Sequence, residues 1–236
     1  MSRSSRSIVA ASLLICSVSI FPQTKRGAAP LPAAPTPNGS VTAGAAANPT
    51  ATPPNHPELK AYLSCGFPDG LQVTDTAQMP PDVRARPVQV HGETKSVPLL
   101  DGWRITFGYP GEQPYASVKL ELLPATNYLE SKKLLQADFD DIVASDRNVT
   151  RATRTVPMSG FSVVGLDRNS LNGTTLGIYM LMDDRQHTVM TAYFLNPNGK
   201  KFKTPQEYGQ MRDTFLYNYT HCVRSNQNTA LFGGQK

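Results

Sequence analysis

The hydrophobic pattern between Thr175 and Pro197 constrains the fold of this chain more than any other segment. It reads TLGIYMLMDDRQHTVMTAYFLNP, two apolar runs around the polar insert Asp183-Asp184-Arg185-Gln186. Runs rich in β-branched, aromatic and other apolar residues around a short polar turn predict an antiparallel hairpin. Two alternating sets of side chains occupy the second run: Val189, Thr191, Tyr193 and Leu195 on one face, and Met190, Ala192 and Phe194 on the other. Because both sets are largely apolar, both faces need cover, which favours a sheet with helices on it over an open β-sandwich.

Two long helices are predicted, one after this hairpin and one before it. After it, Thr204, Pro205 and Glu207 supply an N-cap, a first-turn proline and a capping-box glutamate. The apolar stripe that follows at helical spacing comprises Tyr208, Met211, Phe215 and Cys222. The segment ATNYLESKKLLQADFDDIVASD predicts the earlier helix, capped by Thr126. Its apolar stripe comprises Tyr128, Leu135, Phe139 and Ile142.

The remaining pattern completes an α+β domain over residues 57–225, followed by a flexible tail at 226–236. PELKAYLSC predicts a short opening helix. Further strands are predicted around Gln89 and over Trp103–Tyr109, Tyr115–Leu123 and Gly160–Leu166. We therefore expect an antiparallel five- or six-stranded sheet with helices packed on it, an α/β/α sandwich.

The first 26 residues are typical of an export signal. Arg3 and Arg6 precede an apolar stretch from Ile8 to Phe21, which is shorter than the about 20 residues that a membrane-spanning helix needs. Three outcomes stay open: cleavage, retention of residues 8–21 as a short anchor, and lipidation of Cys16. Ile15 stands where a lipoprotein signal has a small residue. In each case we expect an exported protein, either periplasmic or secreted, whose contact with the membrane is limited to this segment.

Residues 27–56 predict a disordered linker. Between Gly27 and His56 the chain contains no Lys, Arg, Asp or Glu and no aromatic residue. A tract of Ala, Pro, Gly, Thr and Asn cannot bury enough apolar surface to offset the entropy of ordering it. Proline-rich tracts of this kind act as extended spacers.

The net charge of +5 does not indicate a nucleic-acid partner. Four of the 23 basic side chains precede residue 27, whereas all 18 acidic ones follow it, so the charges of the rest nearly balance. A nucleic-acid binder concentrates its basic residues on one face. We therefore expect none as a partner.

Cys65 and Cys222 stand near the two ends of the predicted domain. In an oxidising compartment such a pair is most simply a disulfide. A catalytic Cys222 assisted by the adjacent His221 is the weaker alternative, because neighbours on a helix do not face each other.

Two segments carry a resemblance to a known class of domains. DGWRITFGYP, followed by ASVKLELLP before a helix, resembles the opening of the PsbP/Mog1-like domains, which include exported DcrB-type and LpqN-type bacterial proteins. The closing helix, with Met211-Arg212-Asp213-Thr214-Phe215, is similar to their ending. The resemblance implies an antiparallel sheet between helices and a role in binding or assembly.

Sequence motifs for catalysis are weak. The chain has four histidines but no HxxxH, HExxH or CxxC pattern, so we expect neither a metal nor a cofactor. Asp183, Asp184 and His187 lie within five residues, and they are the basis of one alternative, an envelope hydrolase. The bland interpretation of the three is a solvated turn.

The favoured hypothesis is a non-catalytic binding or assembly module of the cell envelope. Its partner would be an envelope protein, a peptide or a small apolar ligand. The expected ligand surface consists of six aromatic residues: Trp103, Phe107, Tyr109, Tyr115, Tyr179 and Tyr193. A structural envelope protein is the remaining alternative.

Overall fold

A computed structural model of the chain describes residues 59–67, 69–80, 82–152, 158–199 and 201–232. The predicted signal with Cys16, and the predicted linker, lie outside these residues. By its internal contacts the chain divides into Met1–Ala46 and Ala47–Lys236, and every described residue belongs to the second unit. None of the described helices is long and apolar enough to cross a membrane.

Three helices and nine strands make up the described part of the chain. The helices are α1 (Lys60–Leu63), α2 (Tyr128–Ser145) and α3 (Pro205–Phe232). The strands are β1 (Gln72–Gln78), β2 (Ala85–Val90), β3 (Glu93–Pro98), β4 (Asp101–Gly108), β5 (Ala116–Leu122), β6 (Val149–Arg151), β7 (Ser162–Arg168), β8 (Thr175–Asp183) and β9 (Thr188–Leu195). Short 3-10 turns at Ala125–Asn127 and Pro197–Gly199 precede α2 and α3.

Seven of these strands form one antiparallel sheet in the order β1-β4-β5-β9-β8-β7-β6, and β2 pairs with β3 in a separate hairpin. The predicted α+β class is confirmed, but the predicted number of strands was too low. Strands β1 and β6 lie at the two edges of the sheet. Edge strands bury little apolar surface, and neither QVTDTAQ nor VTR carries the hydrophobic alternation that marks a strand in sequence.

The predicted hairpin is present, with its turn one residue later than expected. Asp183 pairs with Thr188 as the last rung of β8 and β9, so the loop consists of residues 184–187. His187 adopts a left-handed backbone conformation, with φ of 53°, and closes the loop instead of opening a strand. Asp183 therefore belongs to the sheet, and its side chain is fully buried.

Both faces of the seven-stranded sheet are covered, as the hairpin pattern predicts. On one face, α1 and α3 pack over an aromatic core in which Phe107 and Phe215 lie 5.1 Å apart. On the other face, α2 and the β2–β3 hairpin share the cover, burying Leu135 and Phe139 of the helix and Val97 of the hairpin. We call these the α3 face and the α2 face.

Helix α3 begins as predicted and runs further than predicted. Thr204 Oγ1 accepts the backbone N–H of Glu207 at 3.1 Å, and the Glu207 carboxylate accepts the N–H of Lys203 at 2.9 Å. The helix continues to Phe232, so residues 226–232 are helical where a flexible tail was expected. Asn226 and Gln227 hold this extension in place through hydrogen bonds to α1 and to Asp183.

Helix α2 differs from its prediction at both ends. Thr126 donates to the side chain of Asn127 and does not cap the helix, because a 3-10 turn occupies that position. Tyr128, Leu135 and Phe139 are buried as expected, whereas Ile142 is 40% exposed. The β2–β3 hairpin covers the sheet beside this end of the helix, which leaves Ile142 at the solvent boundary.

Cys65 and Cys222 are joined as a disulfide, as predicted, with their Cα atoms 5.8 Å apart. This separation lies within the usual range for disulfides. The bond ties the segment after α1 to the middle of α3. Asn226 donates to both Ala61 O and Ser64 Oγ beside it.

Candidate functional site

The six aromatic residues expected to form a ligand surface are divided by the fold. Trp103, Phe107 and Tyr179 are at most 2% exposed and belong to the core of the α3 face, so they offer no surface to a ligand. All three occupy positions on β4 and β8 whose side chains point into the core of the α3 face. The alternation of residues along a strand does not show which aromatic side chains will be buried. Tyr193 lies under α2 beside a cavity of about 60 Å³, which is large enough for a few water molecules.

Tyr115 instead lines an open groove on the α3 face, and Tyr109 lies beside it, in contact with Tyr115 and Asp69. The groove has a volume of about 280 Å³ and lies between α3, the start of β5 and the segment 67–71. Its lining divides into an apolar floor and a polar rim. The floor consists of Phe67, Leu71, Tyr115, Met211 and Phe215. The rim consists of Asp69, Glu207, Gln210, Thr214 and Asn218.

One wall of the groove is fixed by the disulfide and by ring stacking. Phe67 follows Cys65 by two residues, and its ring stacks on that of Phe215 with centroids 5.3 Å apart. Asp69 then turns the chain, accepting the backbone N–H of Leu71 at 3.2 Å. Gly70 has φ of 84°, a conformation that favours glycine. Phe67, Asp69 and Leu71 are therefore held in a defined arrangement although none of them belongs to a helix or a strand.

The opposite end of the groove is built around Tyr115. Its backbone N–H donates to Phe107 O at 2.7 Å, and its carbonyl accepts from Leu195 N at 3.0 Å. These bonds extend the β4–β5 and β5–β9 pairings by one residue. The phenol ring packs edge-on against Tyr109, with centroids 6.1 Å apart. The Lys201 ammonium lies 4.5 Å from the centroid of the same ring.

The groove carries negative charge. Asp69 and Glu207 are the charged residues among the described residues that line it. Burial raises the pKa of Tyr115, and Tyr109, Asp69 and Glu207 raise it further. The Tyr109 hydroxyl donates to Asp69 at 3.1 Å, and its pKa is also raised, first by partial burial and then by Asp69. Both phenols thus remain protonated hydrogen-bond donors at neutral pH.

The other predicted site is divided by the fold: Asp184 and His187 both contact Tyr128, whereas Asp183 is directed to the opposite face of the sheet. The Asp183 carboxylate points into the α3 face and accepts hydrogen bonds from Tyr62 at 2.8 Å and from Gln227 at 2.9 Å. One guanidinium nitrogen of Arg224, Nη1, lies 3.0 and 2.9 Å from its two oxygens. Its Oδ1 atom also accepts the backbone N–H of Arg185 in the hairpin loop at 3.1 Å, so the carboxylate is fully engaged in structural hydrogen bonds.

Asp184 points to the α2 face, because consecutive residues of an extended chain alternate in direction. It accepts hydrogen bonds from Lys132 at 2.7 and 2.9 Å and from Tyr128 at 2.7 Å. The Lys132 hydrogen bond lowers the pKa of Asp184, against a smaller opposing effect of burial. His187 packs its ring 5.0 Å from that of Tyr128. The two carboxylates therefore serve separate structural contacts.

Among the described residues, no group of three His, Cys, Asp or Glu side chains is placed to hold a metal ion.

The groove wall formed by Phe67, Asp69 and Leu71 was not predicted from the sequence. The segment GFPDGL shows turn-forming residues and no hydrophobic period, so it gave no reason to expect a binding surface. Met211 and Phe215 were predicted as buried stripe residues of α3, and Glu207 as a cap. The helix cap and the helix stripe are local features, but the groove depends on contacts between residues about 150 positions apart, which local patterns do not report.

No family model, no curated protein and no solved structure matches this chain.

Proposed function

We propose that this chain is an exported, non-catalytic binding or assembly module of the cell envelope, with residues 27–56 as its spacer and the α3-face groove as its binding surface. The groove itself carries the proposal. It is concave, its floor is apolar, and its rim supplies hydrogen-bonding groups from Asp69, Glu207, Gln210 and Asn218. An apolar pocket with a few converging polar groups is the usual form of a ligand site.

The disulfide supports the exported location. Disulfides persist in oxidising compartments and are rare in the cytosol of mesophiles. Cys65 and Cys222 are paired across 157 residues, as the export signal leads one to expect. Kinship with the PsbP/Mog1-like domains belongs to the same proposal, and it rests on the strand and helix patterns of residues 101–124 and 205–215.

The chemistry of the groove supports binding in preference to catalysis. Nucleophilic catalysis needs a hydroxyl or thiol within hydrogen-bonding reach of a base. The described residues that line the groove include neither histidine nor lysine. Of its two carboxylates, Asp69 accepts the Tyr109 hydroxyl, whose pKa is raised first by partial burial and then by Asp69, which disfavours the phenolate that a nucleophile needs; Glu207 accepts the backbone N–H of Lys203. Those carboxylates are suited to holding a ligand in place.

Filling the groove tests this function directly. Thr214 is exposed on its rim, and Thr229 is exposed on the same helix but outside the lining. A photo-crosslinking amino acid at position 214 should give a discrete adduct in the protein's own cells, and the same group at position 229 should not. Thr214→Trp should then abolish co-purification of the captured species with the wild-type disulfide intact, and Thr229→Trp should not.

Equal adducts from both positions would place the binding surface elsewhere on the protein. Adducts from neither position, with the protein found in the exported fraction, would favour a structural envelope protein.

A further inference from the structure

We infer that the α3-face groove recognises the basic side chain of a partner polypeptide, with an exposed lysine as the occupant. This inference rests on the proposed function, because it names the ligand chemistry of the same groove. It is argued from the charge, shape and size of the lining.

The charge of the groove has one sign. Of the ten described residues that line it, the two that are charged are Asp69 and Glu207. Neither carboxylate forms an ion pair within the part of the chain that the structure describes; Asp69 accepts from Leu71 N and Tyr109 Oη, and Glu207 accepts from Lys203 N. No cationic side chain in that part of the chain therefore pairs with either carboxylate, and both have oxygen lone pairs free for a cationic ligand.

The apolar floor fits the stem of such a ligand. Phe67, Leu71, Met211 and Phe215 lie below the acidic rim. A lysine side chain buries its four methylene groups against apolar surface while its ammonium stays near charged or wet groups. Aromatic faces add attraction for the cation. A carboxylate rim over an aromatic floor therefore complements a long basic side chain better than it complements a purely apolar one.

The protein already makes one contact of this kind at the edge of the groove. The Lys201 ammonium lies 4.5 Å over the ring of Tyr115 and donates to Gln113 O at 3.2 Å. Lys201 lies outside the groove lining, and burial lowers its pKa while Glu112 opposes that effect. Its charge is held at Gln113, so it leaves Asp69 and Glu207 available to a ligand.

The size of the groove favours a single side chain of a polypeptide. Its volume of about 280 Å³ lies just below the range of about 300–1,000 Å³ that drug-sized ligands occupy. Protein interfaces commonly place one anchoring side chain in a pocket of this kind, surrounded by weaker contacts. The exposed length of α3 beside the groove offers room for those contacts.

The test compares two peptides that differ by one charge. The probes are acetyl-Gly-Ser-Lys-Ser-Gly-amide and the same peptide with norleucine in place of lysine, titrated to millimolar concentrations into the full, oxidised, ¹⁵N-labelled chain. We expect the lysine peptide to shift the amides of Phe67, Asp69 and Met211 and to bind about tenfold more tightly than the norleucine peptide. The preference should weaken as salt is added.

The variant D69N/E207Q keeps the acceptor oxygens that hold Leu71 and Lys203 but removes both charges, so it should fold normally and lose the tenfold preference. Glu112→Gln removes a nearby charge outside the lining and should keep the preference.

Each other outcome overturns a defined part of the account. Equal affinity for both peptides would refute the role of charge and leave the proposed function standing. Butylammonium binding as tightly as the lysine peptide would make the ligand a small organic cation and not a polypeptide. If no probe shifted the groove amides, lysine recognition would be refuted, and the proposed function would then stand or fall by the cross-linking from position 214.

Discussion

The two faces of the seven-stranded sheet are covered by different means. On the α3 face, a single 28-residue helix and a four-residue helix are joined by a disulfide and by stacked aromatic rings. On the α2 face, an 18-residue helix shares the cover with a two-stranded hairpin, and Asp138 and Asp141 hold the two together by accepting the N–H groups of Gln89 and His91.

The neighbouring residues Asp183 and Asp184 illustrate the energetic consequence of this difference. Asp183 is fully buried on the α3 face against Arg224, whereas Asp184 on the α2 face is 54% exposed beside Lys132. A buried pair becomes costly when one partner is lost, whereas an exposed pair contributes little. Asp183 is thus the more strongly specified of the two carboxylates, and it lies on the face that carries the groove.

The largest effect is expected from Asp183→Ala. The substitution leaves the buried Arg224 guanidinium without its carboxylate and should lower the free energy of unfolding by about 3–5 kcal/mol. Asp184→Ala should lower it by less than about 1 kcal/mol. Urea unfolding of the oxidised protein measures both. The double variant D183L/R224M removes both charges and should recover part of the loss. Equal losses for Asp183→Ala and Asp184→Ala would contradict the expected difference between the buried and the exposed carboxylate.

Removal of the disulfide should have the next largest effect. The double variant C65S/C222S should lose about 2–4 kcal/mol, because the unfolded chain gains the entropy of a long open loop. Amide exchange should quicken in α1, in residues 65–71 and around position 222 of α3, while α2 keeps its protection. A uniform increase over both helices would show that the disulfide stabilises the domain as a whole and not the α3 face in particular.

Gly165→Ala tests the packing of the core on the α3 face. A Cβ atom at position 165 would lie 2.2 Å from Cε1 of the Tyr179 ring, and Tyr179 is fully buried. The ring would have to move, so we expect a loss of about 1–3 kcal/mol in thermal or urea unfolding. Gly66→Ala is the matched control, since a Cβ there meets nothing within 4 Å; a neutral Gly165→Ala would mean that this core is loosely packed.

Asp184→Asn should have the smallest effect on stability, and that effect should depend on pH. The folded-state pKa of Asp184 is lowered below 3.8, chiefly by Lys132, so the ion pair stabilises the fold above about pH 4 and the contribution disappears as the pH falls through the folded-state pKa. Asp184→Asn should cost less than about 1 kcal/mol at neutral pH, and this cost should vanish once the pH lies below the folded-state pKa. A difference from wild type that persists in acid would assign the loss to the Tyr128 hydrogen bond and not to charge.

The sequence predicts the fold class because its strongest signals are local and consistent. The double-sided hairpin, the capped start of α3 and the stripe through Phe215 each follow from a short period, and together they require a sheet covered by helices. The edge strands β1 and β6 escape prediction because their polar residues satisfy no hydrophobic period. Asp183 was placed in a solvated turn because the residue that buries it, Arg224, lies 41 positions away.

The candidate site was predictable only in part. Tyr109 and Tyr115 were selected as surface aromatic residues, and the structure places Tyr115 in the groove lining and Tyr109 beside it. Trp103, Phe107 and Tyr179 were selected by the same reasoning and are core residues. Aromatic residues serve both roles, and which role each takes depends on the direction in which its strand faces the helices.

An intact mass of the protein from its own cells tests the central claim of an exported binding module most directly. It is measured natively, and again after denaturation with and without reduction. The denatured mass distinguishes cleavage, retention and lipidation of the N-terminal segment. We expect a gain of two hydrogens on reduction and an additional bound species in the native state that Thr214→Trp removes. A native mass equal to that of the bare chain, with no gain on reduction, would contradict the claim.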